Sequence, residues 1–290
     1  MNTLKNTLFR CLDFIIYGNV FIAFCAAMST YSTGLILSVP THSSFIIYHS
    51  SLPIFVGAAT FFLYNLHKPV TYFLKKQFIE NQRFTRTKAF QGPLSILSIL
   101  AVIYCIYYFF QLKTASQWVL ILMAFLSLGY VLPILGNGRR LRDIPYLKIF
   151  LIAIVWSVIT VGLPFLELNN NIPTAHFLCL CMGRSCFIFA LCIPFDIRDM
   201  DWDSRTNVKT IPLSIGVEKA KMLAILALIV SLSMNYLGKN TIVASPIHDF
   251  KIISVYAITA FMILKTHKNR SDYFFYGGVD GMILLQSLLS

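Results

Sequence analysis

Between positions 196 and 203 the chain reads DIRDMDWD, inside a longer stretch, FDIRDMDWDSRTNVKTIPLSIG, that spans 195–216. Asp196, Arg198, Asp199, Asp201 and Asp203 concentrate charge in a sequence that is only 12% charged. If the preceding apolar helix continues from Cys192 to Asp203, Asp196 and Asp199 lie three apart and Asp199 and Asp203 four apart, so the three carboxylates share one face. A face of like charges calls for a cation. Carboxylate oxygens are hard ligands, and Mg²⁺ held by one or two of them fills its shell with water and substrate phosphate oxygens. Ser204, Arg205, Thr206, Lys209 and Thr210 follow, supplying cations and hydroxyl donors for the oxygens a metal leaves free. The competing reading is a solvated loop whose acids cap helix ends.

The elements that must hold this segment are membrane helices. The 290 residues are 57% hydrophobic and the mean hydropathy is +0.71, well above a soluble domain. Lys5 and Arg10 precede an apolar run from Phe14 to Val39 that is too long for the core of a cleavable signal, so the first helix is expected to stay. The net charge of +12 does not point to nucleic acid, because the basic residues sit in short loops between apolar spans, where membrane orientation accounts for them. The seven cysteines show no paired CxxC spacing for zinc and read as small apolar fillers.

Apolar runs of about 20 residues, enough to cross the hydrocarbon, fall near 13–39, 48–73, 93–112, 116–136, 147–167, 174–195, 218–237 and 272–290, with a shorter one near 247–265. The expectation is an all-α, polytopic bundle of nine transmembrane helices forming a single domain over 1–290. Lys and Arg gather at one set of span ends, which places the N-terminus and the polar loops 74–92, 137–147 and 197–217 in the cytoplasm. Function in such a bundle usually sits on loops of this kind.

Asp199-x-x-x-Asp203, a Lys209-Thr210 pair six residues on, then Pro212 and Gly216 before the next helix together resemble the second aspartate motif of the UbiA superfamily of intramembrane prenyltransferases. Tyr130 to Pro164, with its Tyr-x-x-x-Pro turn, basic loop and Lys148 ahead of an apolar helix, resembles that family's stretch between its fourth and fifth helices. The nine-helix layout with the N-terminus inside is also similar. The resemblance implies Mg²⁺ as cofactor and, as substrates, a polyprenyl diphosphate whose tail lies in a membrane tunnel and an aromatic or lipophilic acceptor that captures the allylic cation. It implies that Asp199 and Asp203, assisted by Asp196, bind the metal and act in catalysis. Asn65 and Lys68 would help hold the diphosphate, and Lys148, Arg198, Arg205 and Lys209 would neutralise it. The site would lie on the cytoplasmic side of the membrane, the inner membrane in a bacterium.

The chain departs from the family at its first motif, N-D-x-x-D-x-x-x-D. Asn65 is followed by Leu66, and Pro69 and Phe73 stand where later acids belong. Lys68, Lys75 or Lys76 would then supply charge that a second metal otherwise brings. The alternative is a non-catalytic relative that binds a lipid or a membrane partner in the same cavity. A transporter fits less well, because the charges gather at one end of the bundle rather than at mid-depth.

Three further features stand inside the spans. Arg184, halfway along the sixth, is by default functional or paired, and Asp280 in the last span is the candidate partner. The run Tyr104, Tyr107, Tyr108, Phe109, Phe110 reads as an interfacial belt or as the lining of a prenyl tunnel. His67 reads as interfacial or as a phosphate donor.

Overall fold

The computed structural model describes residues 2–38, 51–74, 90–168, 173–238 and 246–289, which hold eleven helices and no β-strand. We number them α1 (Asn2–Tyr17), α2 (Val20–Ser38), α3 (Ser51–Leu74), α4 (Gln91–Phe109), α5 (Thr114–Val131), α6 (Leu147–Glu167), α7 (Thr174–Arg205), α8 (Ile211–Ile215), α9 (Val217–Leu237), α10 (Pro246–Leu264) and α11 (Phe274–Leu289). Six of them, α2, α4, α5, α6, α7 and α9, are long and apolar enough to cross a membrane, and α3 and α11 carry shorter apolar stretches. The chain is an integral membrane protein. Large apolar side chains such as Ile99 and Ile103 on α4 or Trp118 and Phe125 on α5 face outward, as helices in lipid require, since no water drives them inward.

Every expected span falls on a helix, with one correction. The run 13–39 is not continuous: α1 ends at Tyr17, and α2 begins at Val20 after Asn19 takes the left-handed conformation at φ 61°. An asparagine tolerates that backbone better than most side chains. The break frees backbone groups, and Asn65 on α3 takes one of them, its Nδ2 donating at 3.0 Å to the carbonyl of Gly18. The same amide nitrogen lies 3.0 Å from the Phe61 carbonyl, and the Asn65 oxygen accepts from Asn19 Nδ2 at 3.0 Å. α1 then packs by its end against α11, with Tyr17 donating to Asp272 at 3.4 Å and Tyr273 donating to Asp13.

The long helices close into a ring in which α2 packs on α3, α5 on α6, α6 on α7, α7 on α9, α9 on α10, α10 on α11 and α11 back on α2, while α4 backs α3. Two helices carry wide π turns, Val158–Gly162 in α6 and Phe274–Val279 in α11. Such turns shift the faces a helix presents and recur at functional sites. The ring surrounds a cavity of about 910 Å³.

Candidate active site

α7 continues through Pro194 without a break to Arg205, so the acidic segment is the end of a membrane helix. The expected cytoplasmic loop 197–217 is therefore corrected: its first part, to Arg205, is helix, which is the condition under which Asp196, Asp199 and Asp203 share a face. Opposite it stands the start of α6. Tyr146, at φ 62°, donates its backbone N–H to the Lys209 carbonyl at 3.1 Å, and its hydroxyl is 2.9 Å from Ser214 Oγ. These bonds fix the loop before α6 to the chain after α7 and set Lys148 against the acids.

Lys148 Nζ lies 2.8 Å from Asp196 Oδ1 and 3.3 Å from Asp203 Oδ2, with all three residues buried. Asp196 and Asp203 are two helical turns apart on one stripe, and a single ammonium bridges them. Between them Arg198 grips Asp199 with two bonds, Nε to Oδ1 at 2.8 Å and Nη2 to Oδ2 at 3.0 Å. The Arg198 guanidinium is boxed by the rings of Phe195, Phe275 and Tyr276 at 4.9, 5.2 and 5.0 Å. Its Nη1 is buried without a hydrogen-bond partner among the described residues. A buried guanidinium nitrogen in that state is a donor with capacity to spare.

Arg142, from the turn before α6, lies 5.1 Å over the Tyr130 ring. Burial works against its charge, but Tyr130, Asp203, Asp199 and Asp143 outweigh that and raise its pKa above the ordinary value. Arg140, Arg142, Lys148 and Arg198 line this end of the cavity together with Asp196 and Asp199, and Asp203 lies behind Lys148.

The three carboxylates expected to share one metal stand in different surroundings. Among the described residues no three His, Cys, Asp or Glu side chains gather where a metal would bind. The cation shared along the acidic face is Lys148, and Asp196 is held by it. What remains suits Mg²⁺ in its usual mode of one or two carboxylates with phosphate and water completing the shell. Asp199, on the cavity wall with a side chain 23% exposed, is the most open of the three carboxylates, and Asp203 on the next turn shares Lys148 with Asp196.

From this charged end the cavity runs into an apolar interior walled by residues such as Phe55, Phe109, Phe110, Met123 and Leu151. No protein-family model matches the chain, and no curated protein matches it in sequence. Solved structures do match in shape. A UbiA homologue from Archaeoglobus fulgidus bound to GPP and Mg²⁺ superposes with a TM-score of 0.64 at 13% identity, over 96% of this chain and 97% of that one. The chain has the fold of the UbiA homologues. A UbiA homologue from Aeropyrum pernix K1 matches with a TM-score of 0.58 at 14% identity, over 92% of this chain and 93% of the other. Digeranylgeranylglyceryl phosphate synthase matches with 0.55 at 13%, over 97% and 96%.

In this UbiA fold the residues expected at the site divide. Asp196, Arg198, Asp199, Asp203 and Lys148 are brought together. Arg205 and Lys209 are exposed and lie outside the cavity wall. Asn65 does not face the cavity, because its amide is engaged at the α1–α2 break. Lys68 falls in α3, but its side chain and the stretch 75–89 with Lys75 and Lys76 lie outside the described residues, as does the side chain of His67. Arg184 and Asp280 do not pair: the guanidinium bonds Ser29, Gln286 and Thr33. The aromatic run is split, with Tyr107 facing outward, Tyr104 stacked on Tyr108 at 6.0 Å, and Phe109 and Phe110 on the cavity wall.

The sequence reading assigned Arg142 to membrane orientation and missed Tyr276. Arg142 was open to detection through its place between the Tyr130 turn and Lys148. Tyr276 was not, because the π turn of α11 hides which side of the last helix faces inward.

Proposed function

We propose that the chain is an intramembrane prenyltransferase of the UbiA type, transferring a polyprenyl group from its diphosphate to a lipophilic or aromatic acceptor. The observation that carries this reading is the shape of the cavity of about 910 Å³: a buried charged end on α6 and α7 opening into an apolar interior. A prenyl diphosphate has the same division into head and tail. The archaeal homologues with GPP and with DMAPP bound alongside Mg²⁺ support it. By the distribution of Lys and Arg, the charged end faces the cytoplasm.

Acids and cations are interleaved at the charged end, so a diphosphate that enters it would come with Mg²⁺ to offset the carboxylates, and Asp199 and Asp203 are the residues that would hold the metal. Bound Mg²⁺ supplies neutralisation of the charge that develops on the leaving diphosphate. Arg198 offers Nη1 to a phosphate oxygen while its fork keeps Asp199 in place. Lys148, on releasing either carboxylate, becomes a second donor, and Arg142 a third. The apolar walls exclude water from the reacting carbon, which strengthens each of these interactions.

The test is Mg²⁺-dependent binding of geranylgeranyl thiodiphosphate, which resists ionisation, to the purified chain in detergent. Wild type is compared with Asp199→Ala and Asp203→Ala. Binding that needs Mg²⁺ and is lost in both variants supports the reading. Binding indifferent to both the metal and the aspartates overturns it. The second reading, a non-catalytic relative, draws on Asn65, whose engagement at the α1–α2 break leaves the degenerate first motif without that diphosphate contact. It is chosen if the thiodiphosphate binds as described yet geranylgeranyl diphosphate is never turned over to free diphosphate.

A further inference from the structure

Asp280 is a carboxylic acid in the apolar wall of the cavity, only 9% exposed and with no hydrogen bond to its side chain among the described residues. A membrane helix does not carry an unpartnered acid at depth without a reason. Pairing with Arg184 is not that reason, because Arg184 is bonded to Ser29, Thr33 and Gln286.

The backbone is built to aim it. Asp280 donates its amide N–H to the carbonyl of Phe275, five residues back, at 3.0 Å. That bond closes the π turn of α11, so the irregularity in the helix ends on this residue. Tyr276, Asp280 and Ile283 thereby line the cavity along one stripe. Tyr276 touches Arg198 at the charged end, and Asp280 comes one turn further in. It thus sits below the diphosphate site, beside the space where the first carbons of a prenyl chain and the acceptor must meet.

We propose that Asp280 is a catalytic residue that receives the hydroxyl group of the acceptor, which makes the acceptor a hydroxyl-bearing lipophile. This rests on the prenyltransferase reading above and extends it to the second substrate. In the step, the bond between C1 and the diphosphate oxygen breaks and its electron pair leaves on the diphosphate. A lone pair of the acceptor oxygen forms the new C1–O bond, and the hydroxyl proton passes to the Asp280 carboxylate. Before reaction, the same carboxylate accepts the hydroxyl hydrogen bond and orients the oxygen toward C1. A site with a buried polar group discriminates strongly against an analogue that lacks the matching hydroxyl.

The experiment uses the full chain in lipid nanodiscs, loaded with geranylgeranyl thiodiphosphate and Mg²⁺. Binding of 4-hexylphenol and of hexylbenzene is compared by saturation-transfer NMR against empty nanodiscs. Wild type is expected to prefer the phenol by about tenfold or more, and Asp280→Leu, which has no acceptor, to lose most of that preference while still binding the thiodiphosphate. Asp280→Glu, which keeps the carboxylate, should retain part of it. If Asp280→Leu loses the thiodiphosphate site as well, Asp280→Val is read in its place for the same collapse. A wild-type protein that binds the thiodiphosphate but shows no preference for the phenol overturns the proposal, as does a preference unchanged in Asp280→Leu or Asp280→Val. Failure of wild type to bind the thiodiphosphate at all is a different result and strikes the prenyltransferase reading itself.

Discussion

Lys148 and Asp196 meet at 2.8 Å in the interior of the bundle, with Asp203 at 3.3 Å on the same ammonium. Removing the lysine leaves two buried carboxylates without the ammonium that bridges them. For a broken buried ion pair the cost is about 3–5 kcal/mol, so Lys148→Met should lower the thermal midpoint in detergent by several degrees and weaken thiodiphosphate binding with it. The double variant Lys148→Met, Asp196→Asn removes one charge of each sign. It should recover part of the stability but not the binding. Recovery of both would mean that Lys148 serves the fold alone.

Asn65 separates the family resemblance from the structure. Its position at the head of a degenerate motif implied a diphosphate contact, whereas its amide bonds the Gly18 and Phe61 carbonyls and Asn19. Asn65→Ala strands groups around the α1–α2 break, at roughly 1–3 kcal/mol for a buried partner left unsatisfied. The expected outcome is a lower unfolding temperature with thiodiphosphate affinity changed less than about threefold. A large loss of affinity in a protein that still melts like wild type would restore Asn65 to the site.

These two residues show what was legible in advance. The three-and-four spacing of Asp196, Asp199 and Asp203 fits a helix, but the polar run 197–217 read equally as a cytoplasmic loop, and it is the structure that carries α7 on to Arg205. Lys148 was legible by resemblance. That its ammonium stands between Asp196 and Asp203, where a metal was expected, depends on a loop anchored through Tyr146 to Lys209 and Ser214, which no local pattern encodes. Asn65 was misread because its partners are 46 and 47 residues away. Asp280 was placed opposite Arg184 because depth in the membrane is readable from sequence, while the face of a helix with a π turn is not.

Arg198 combines a two-bond grip on Asp199 with contacts to three aromatic rings. A lysine has neither the planar fork nor the stacking surface. Arg198→Lys should therefore behave as a damaging change, weakening Mg²⁺-dependent thiodiphosphate binding by about tenfold or more. Titration of the variant beside wild type at fixed Mg²⁺ checks this. Equal affinities would show that only the positive charge at this position matters.

Arg184 gives the opposite expectation. It is buried in α7, outside the cavity wall, and its partners are the neutral side chains of Ser29, Thr33 and Gln286. Gln286 keeps a second bond, to the Tyr256 hydroxyl at 3.1 Å, and Thr33 donates to the Ser29 carbonyl at 2.9 Å, so a substitution at 184 leaves these groups partly satisfied. A buried charge whose partners are neutral carries a desolvation cost that an apolar side chain of similar length does not. Arg184→Met should melt at or above the wild-type temperature and bind thiodiphosphate with unchanged affinity. If instead it folds but no longer binds, the guanidinium acts on the site through the α2–α7–α11 contact, and the charge is functional rather than a feature of packing.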